Sequence, residues 1–385
     1  MFQKIILMTR LNHKLPSITP QRIVVLRYRF IGDTVLMLPF LEALRQQYPQ
    51  AVIDVVVSPN SGEILTHCPW INSLIFYCKK SENAPEKSTK NTVYIKGFQA
   101  LVKHLKIQHY DWAFVLKRSL SSAVIPFLAG IPVRIGFNTE YRSVLLTHPL
   151  PYPERGNEVE AFLSVLSGVG IPTPQTPKLS AWIDDLTDCT VTNRFATYAE
   201  GAIHIGLHAV ASNPAKSWVT HRWQKLLGLL IERFEAQGVA PETVFFHAFG
   251  TKSDGSAYVP MLESLPPHWQ RQWVDWCGQT NLLETQALLK RMTLLVGVDS
   301  GLLHLATAIG TPIVGLYGAL SVERWGVWKH THATHELVDH QLLYLGLGCQ
   351  PCELKKPCHN SFQCLGSLSE HLVLAAIQRI VCVNA

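Results

Sequence analysis

The sequence predicts an α/β protein made of two similar-sized lobes, each with a parallel sheet and right-handed crossovers, facing a central cleft. Short apolar runs of strand length alternate with segments apolar at helical spacing along most of the chain, the rhythm of βαβ units. A chain of 385 residues exceeds what one ordinary core serves, so two domains are expected. Prolines crowd polar surroundings at residues 149–153 and again at 171–177, which places the passage between lobes near residues 172–190.

In the first lobe, RIVVLR (22–27) reads as a strand and residues 34–48 are apolar at helical spacing. Pro39 either kinks that helix or marks a later start. Further strands are expected at 51–57, 74–77 and 112–116, and a helix at 158–169. Residues 79–90 (KKSENAPEKSTK) are charged and aperiodic, an exposed loop. In the second lobe, strands are expected at 204–209, 243–248, 273–276, 294–298 and 313–317. Helices fit 223–237, 282–291, 302–309 and, amphipathically, 367–381. The expected domains are a basic N-terminal extension (1–21), an N-terminal domain (22–180) and a C-terminal domain (181–385).

Composition narrows the function. A 47% hydrophobic and 16% charged chain is globular rather than disordered. Its net charge of +6 suits an anionic ligand or a membrane surface better than a dedicated nucleic-acid interface. No apolar run approaches the roughly 20 residues that span a bilayer. The first twenty residues carry Lys4, Arg10 and Lys14 without a small-residue cleavage site, so they read as a solvated basic arm rather than a signal peptide. Nine cysteines, an odd number with no export signal, fit a reducing cytoplasm. Neither a Walker A motif nor G-x-G-x-x-G is present, which counts against a P-loop ATPase or a nicotinamide dehydrogenase. With no D-x-D pair to hold a metal on a diphosphate, a metal-free phosphate site is the simpler expectation.

Three segments have the residue types for chemistry. LLVGVDSGLLH (294–304) runs from a buried strand into a helix that stops at Gly310 before Pro312. In an open α/β sheet such a turn lies at a strand's carboxyl end, where ligands bind, and the free N–H groups of the helix suit a phosphate. Asp299 and Ser300 add hydrogen-bonding groups there, although Asp299 could equally be a plain N-cap. RYRFIGDT (27–34) is a second strand-to-helix passage, with Gly32 in a tight turn and Asp33 placed as a general base or, again, an N-cap. ASNPAKSW (211–218) offers Lys216 as a point charge and Ser212 as a donor to a phosphate, or else a solvated loop lysine. Trp218 and Trp223 are core or cleft-wall aromatics. Finally, Cys349, Cys352, Cys358 and Cys364 are either reduced packing thiols or a structural zinc site, the first being preferred.

These residues together resemble the ADP-heptose:lipopolysaccharide heptosyltransferases, glycosyltransferase family nine. The likeness rests on FIGDTVLMLPFLEALRQQYPQAVIDVVV, IPVRIGF, residues 216–223, and CGQTNLLETQALLKRMTLLVGVDSGLLHLATAIGTPIVGLYG, in the family's order. The combination of Gly-Asp after the first strand with Asp-Ser-Gly-x-x-His near the end is specific; each motif alone is weak. The N-terminal arm departs from the usual family start, where the first strand begins almost at once.

The resemblance implies a GT-B fold of two Rossmann-like domains, an inverting mechanism, and neither metal nor cofactor. It implies that Asp33 is the general base on the acceptor hydroxyl, and that Lys216 and Ser212 bind the phosphates of ADP-L-glycero-D-manno-heptose. Asp299 would hold the heptose hydroxyls, with Ser300, Gly301, Leu302 and His304 along the diphosphate. The acceptor, a lipopolysaccharide core sugar on lipid A, would meet the basic groups Arg29, Lys117, Arg118 and Arg134, whose other reading is surface charge or internal ion pairs. Such an enzyme would be a peripheral protein at the cytoplasmic face of the inner membrane, with no nucleic-acid partner. The remaining alternatives are a transferase for another nucleotide sugar, a non-catalytic nucleotide-sugar or glycan-binding protein, or a nucleotide-sugar epimerase on a similar two-domain scaffold.

Overall fold

The computed structural model describes residue 15 and residues 19–78, 91–211, 213–332, 338–355 and 357–381. Most of the N-terminal extension, the charged loop expected at 79–90, and Ser212 lie outside them. The chain divides into two compact units, Met1–Pro177 and Lys178–Ala385. No described helix is long and apolar enough to cross a membrane.

The first unit carries seven parallel strands: β1 (Arg22–Leu26), β2 (Val52–Val57), β3 (Ser73–Cys78), β4 (Thr92–Lys96), β5 (Trp112–Val115), β6 (Val133–Phe137) and β7 (His148–Leu150), in the order β4-β3-β2-β1-β5-β6-β7. Its longer helices are α1 (Ile31–Leu36), α2 (Leu38–Gln47), α3 (Phe98–Ile107), α4 (Leu120–Leu128) and α5 (Glu158–Ser167). β1 is a continuous apolar run buried along IVVL, as a central parallel strand covered on both faces must be. The single helix expected over 34–48 is two helices. The break falls at Met37, and Pro39 sits in the first turn of α2, where its missing N–H costs nothing.

The second unit holds α6 (Asp185–Phe195), β8 (Ile203–His208), α7 (Thr220–Ala236), β9 (Val244–Ala248), α8 (Gly255–Glu263), β10 (Trp273–Asp275), α9 (Leu282–Leu289), β11 (Leu294–Val298), α10 (Gly301–Ala308), β12 (Ile313–Leu316), β13 (Gln341–Leu343) and α11 (Glu370–Ile380). Its sheet runs β10-β9-β8-β11-β12-β13, again parallel throughout. α6 occupies the end of the stretch expected to be linker. Asp184 caps it, and Arg291 grips Asp188 at 3.0 Å. α10 ends as its sequence predicts, with Gly310 at φ 85° and the Thr311 N–H donating back to the Ala306 carbonyl.

Each sheet has one place where the strand order reverses: between β1 and β5 in the first unit, and between β8 and β11 in the second. There the loops leaving two neighbouring strands diverge to opposite faces and open a crevice at the carboxyl edge. In the first unit these loops begin after Leu26 and Val115, which are paired in register. In the second they begin after His208, paired with Gly297, and after Val298. A Cβ on Gly297 would lie 3.1 Å from both the Cβ and the carbonyl oxygen of His208, so a glycine suits the close approach of β8 and β11.

A buried histidine pair lies beside α6. His204 Nδ1 and His247 Nε2 are 2.9 Å apart, and Trp276 donates to His247 Nδ1 at 3.0 Å. Burial pushes His204 down to about 4 and His247 down to about 3. Both are therefore neutral in the folded chain, and their contribution is complete above the ordinary value of 6.5 and lost as pH falls through those lower values. Urea denaturation is expected to show stability falling with acidification below pH ~6.5, by at most ~1.4 kcal/mol per pH unit for each histidine. His247→Gln should flatten that slope; an unchanged slope would remove the pair as its source.

Candidate active site

In the first unit, β1 delivers Arg27 and the start of α1 to the carboxyl edge. The N–H of Arg27 still donates to the Val56 carbonyl, 3.0 Å away, so the sheet fixes this residue. The passage into α1 is then made without glycine: Arg29 has φ 153° and Phe30 φ 59°. Gly32, expected in the turn, lies inside α1 and is buried. Placing positive φ on two bulky residues costs on the order of 1–3 kcal/mol each. The N-cap of α1 is Phe30, so Asp33 is not a cap; its carboxylate forms an ion pair with Arg27, the two side chains being 8% and 10% exposed. The Arg27 guanidinium also lies 5.6 Å over the Phe162 ring of α5.

The neighbouring loop, after β5, brings Lys117 and Arg118 to the same edge. The N–H of Lys117 donates to the Leu26 carbonyl at 3.2 Å, and its ammonium stands 5.0 Å over the Tyr28 ring. Arg118 stacks 4.2 Å over Tyr152, whose hydroxyl donates to Glu158 at 2.5 Å. Glu158 is 1% exposed at the start of α5, and burial raises its carboxyl against the pull of that hydrogen bond. Arg142, wholly buried, donates to the carbonyls of Phe137 and Lys117 and to Ser122, and so ties the β5 loop to the end of β6. Burial lowers it to about 10.

Arg29 is exposed in the Asp33 loop. Arg134 does not join this group. It is the second residue of β6, at the amino edge of the sheet, and donates to the carbonyls of Leu145 and Ile131 at 2.7 and 2.6 Å. Its guanidinium is thus engaged by backbone carbonyls rather than by a carboxylate. Arg27, Arg142 and Glu158 were missed from sequence because their charge alone suggests solvent; only burial reveals their use.

In the second unit, β11 ends at Val298 and the N–H of Asp299 donates to the Leu316 carbonyl at 3.1 Å. Ser300, not Asp299, is the N-cap of α10, and it makes no side-chain cap bond. Asp299 is 6% exposed and instead pairs with Lys216, 3.0 Å from Oδ2 to Nζ. Lys216 closes a single 3-10 turn, Pro214–Lys216, in the loop that begins at β8. Both loops of the switch point therefore meet in one buried ion pair. Burial raises the Asp299 carboxyl, with Lys216 opposing the shift and Glu353 adding to it.

The first turn of α10 follows at once. The Ser300 Oγ and the His304 Nδ1 are buried without hydrogen-bond partners. Burial, then the Lys216 charge, pushes His304 down to about 4, so it is a neutral imidazole. Gly301 and Leu302 bring backbone N–H groups that the helix leaves unused. A cation, a helix amino end and unsatisfied polar atoms at a sheet's carboxyl edge have the chemistry to receive a phosphorylated ligand. Trp218 and Trp223 are core, packed edge to face at 5.1 Å, with the Trp218 indole donating to the Leu368 carbonyl.

The cysteine segment borders this edge. The N–H groups of Cys352 and Glu353 both reach the Ala319 carbonyl at 3.1 Å, and the Glu353 carboxylate accepts from the Ser321 N–H and the Trp325 indole at 3.0 and 3.3 Å. Cys349, Cys352, Cys358 and Cys364 are free thiols. Among the described residues no three His, Cys, Asp or Glu side chains gather into a group able to hold a metal ion.

Comparison with known proteins accords with this geometry. The family model described as glycosyltransferase family 9 (heptosyltransferase) matches residues 98–343. The chain is 27% identical over 308 residues to lipopolysaccharide heptosyltransferase 2 of Escherichia coli K12, covering 78% of this chain and 83% of that protein. It is 29% identical over 356 residues to lipooligosaccharide heptosyltransferase 2 of Haemophilus ducreyi, covering 88% and 94%. Among solved structures, the E. coli ADP-heptose lps heptosyltransferase II superposes with a TM-score of 0.71 at 23% identity, over 94% of this chain and 98% of that one. A glycosyl transferase family 9 protein from Veillonella parvula gives 0.73 at 20% identity over the same shares. The fold is thus the GT-B arrangement that the sequence resemblance implied.

Proposed function

This chain belongs to glycosyltransferase family 9 and is a glycosyltransferase; from that premise we propose that it moves heptose from ADP-L-glycero-D-manno-heptose to a lipopolysaccharide core acceptor, with inversion and without a metal. The observation that carries the reading is the Lys216–Asp299 pair at the amino end of α10. A donor diphosphate placed there takes the Lys216 charge and the N–H groups of Ser300, Gly301 and Leu302, which makes it a leaving group without a metal ion. Asp299, released from Lys216, accepts hydroxyls of the heptose. His304, neutral, offers an imidazole hydrogen bond rather than a second charge.

Departure of the diphosphate leaves oxocarbenium character at the anomeric carbon. Asp33 takes the proton from the acceptor hydroxyl as that oxygen bonds to the same carbon, so one bond forms as one breaks. Arg29, Lys117 and Arg118 supply positive charge for the anionic core sugars. A lipid A-linked acceptor puts the enzyme at the cytoplasmic face of the inner membrane.

The test is mass spectrometry of lipopolysaccharide from cells lacking this protein, joined to a donor screen with the purified enzyme. Expected are a core truncated before one heptose, and transfer from ADP-heptose but not from UDP-sugars. A core of full length, or transfer from a UDP-sugar alone, overturns the assignment.

A further inference from the structure

Six of the thirteen large apolar side chains exposed among the described residues fall between residues 98 and 148, all in the first unit. Single exposed hydrophobics are ordinary; a cluster is not. Here α4 is decisive. Ser122, Ala123, Ile125 and Pro126 are buried, while Leu120, Phe127 and Leu128 are 44%, 46% and 49% exposed and Val124 is partly exposed. Positions 120, 124, 127 and 128 share one helical face, so α4 turns an unbroken apolar stripe to solvent. The 3-10 turn Arg142–Leu145 packs on α4 and extends the stripe with Val144, 84% exposed, and the preceding Tyr141, 95% exposed. α3 also packs on α4 and presents Ile107, 60% exposed, beside exposed Lys103 and Lys106.

The charge around the stripe is predominantly positive, with Arg142 the one buried cation. Residues 98–148 contain six lysines and arginines against two acidic residues. Arg134 lies 5.5 Å from the Phe127 ring centroid, and Arg118 stands two residues before Leu120. Of the acidic residues, Asp111 accepts the N–H groups of Gln21 and Arg22, and Glu140 accepts the N–H of Leu120. An apolar ridge bordered by cations suits a bilayer surface with anionic headgroups, where the ridge enters the acyl boundary and the lysines meet phosphates. A second copy is a poorer occupant, because a two-fold contact would set Lys103 and Lys106 against themselves.

We propose that the outer face of α4, with Val144, Tyr141 and the α3 lysines, is the surface by which this protein docks on an anionic membrane. This deepens the proposed function, whose acceptor is lipid-anchored, but vesicle binding is measured without any transfer. The full chain is sedimented with phosphatidylethanolamine vesicles containing phosphatidylglycerol, and with phosphatidylcholine vesicles. Expected is binding to the anionic vesicles that weakens with salt. The double variant Phe127→Glu, Leu128→Glu should bind at least about tenfold more weakly, and Lys103→Glu with Lys106→Glu should remove the preference for anionic lipid. Because all four side chains are exposed, circular dichroism and transfer to a deacylated, water-soluble acceptor should match the parent. No binding by the parent, or undiminished binding by the Phe127/Leu128 variant, overturns the proposal. So does a parental dimer in light scattering that this variant splits. Vesicle binding through this face in a protein that transfers no heptose would sink the functional reading and leave the docking surface standing.

Discussion

Asp33→Asn is expected to bind the sugar nucleotide as the parent does and to lose turnover, with kcat lower by about 10²–10⁴-fold, the usual worth of a positioned general base. Asparagine keeps the shape and can still accept from Arg27, but it cannot take a proton. The substitution also removes the negative partner of a cation that is 10% exposed, so some stability is lost with the activity. The two effects separate experimentally. Turnover is measured well below the melting temperature, and circular dichroism with a melting curve reports that the unit carrying Asp33 is folded. Full activity in this variant would reject Asp33 as the base, and loss of the folded spectrum together with turnover would mean unfolding. Arg27→Met combined with Asp33→Asn should recover stability without recovering turnover, because it removes the unpaired cation and not the missing base.

Lys216→Met is expected to lower kcat/KM for the donor by about 10²–10³-fold, comparable to removing one electrostatic contact from a developing anion. It has a second signature. Burial raises the Asp299 carboxyl and Lys216 works against that rise, so removing the ammonium lets it climb further. The ionised carboxylate then exists only at higher pH, and the acidic limb of the pH–rate profile should move upward. Stability must follow the same sign. A buried acid whose folded value is raised disfavours folding once pH exceeds its unfolded value, so the deficit of Lys216→Met relative to parent should be larger at pH 7 than at pH 5. A uniform fall in rate with an unmoved acidic limb would show that Lys216 serves only the phosphates. Lys216→Arg should retain the position of the limb, since it keeps the charge beside Asp299.

The two catalytic-looking aspartates show how far a linear reading reaches. Both stand where a strand passes into a helix, and sequence left each open as a cap or a functional group. The structure removes the cap reading by naming other residues as caps, Phe30 for α1 and Ser300 for α10, and it gives each carboxylate a cation. The partners lie on different kinds of neighbour. Arg27 is six residues from Asp33, within reach of sequence reasoning, and was passed over because an arginine ending a strand suggests solvent. Lys216 lies far along the chain from Asp299 and meets it only because β8 and β11 are adjacent. The unforeseen strands have local reasons too. β4 is an edge strand with a mostly exposed or half-exposed pattern, β6 is a five-residue run interrupted by Arg134 and Gly136, and β7 and β13 are only three residues long.

Periodicity, apolar strand runs, the Gly310 stop and the two motif segments were enough by themselves to give an α/β chain, its central strands and its family likeness, because those signals are local and depend on spacing along the chain. Strand order is not local. Where the strand order reverses, and hence where each crevice opens, follows from pairing between distant segments and the packing of helices on both faces. Only that pairing buried Arg142 and Glu158, brought Lys216 to Asp299, sent Arg134 to the opposite edge, and left the outer stripe of α4 facing water.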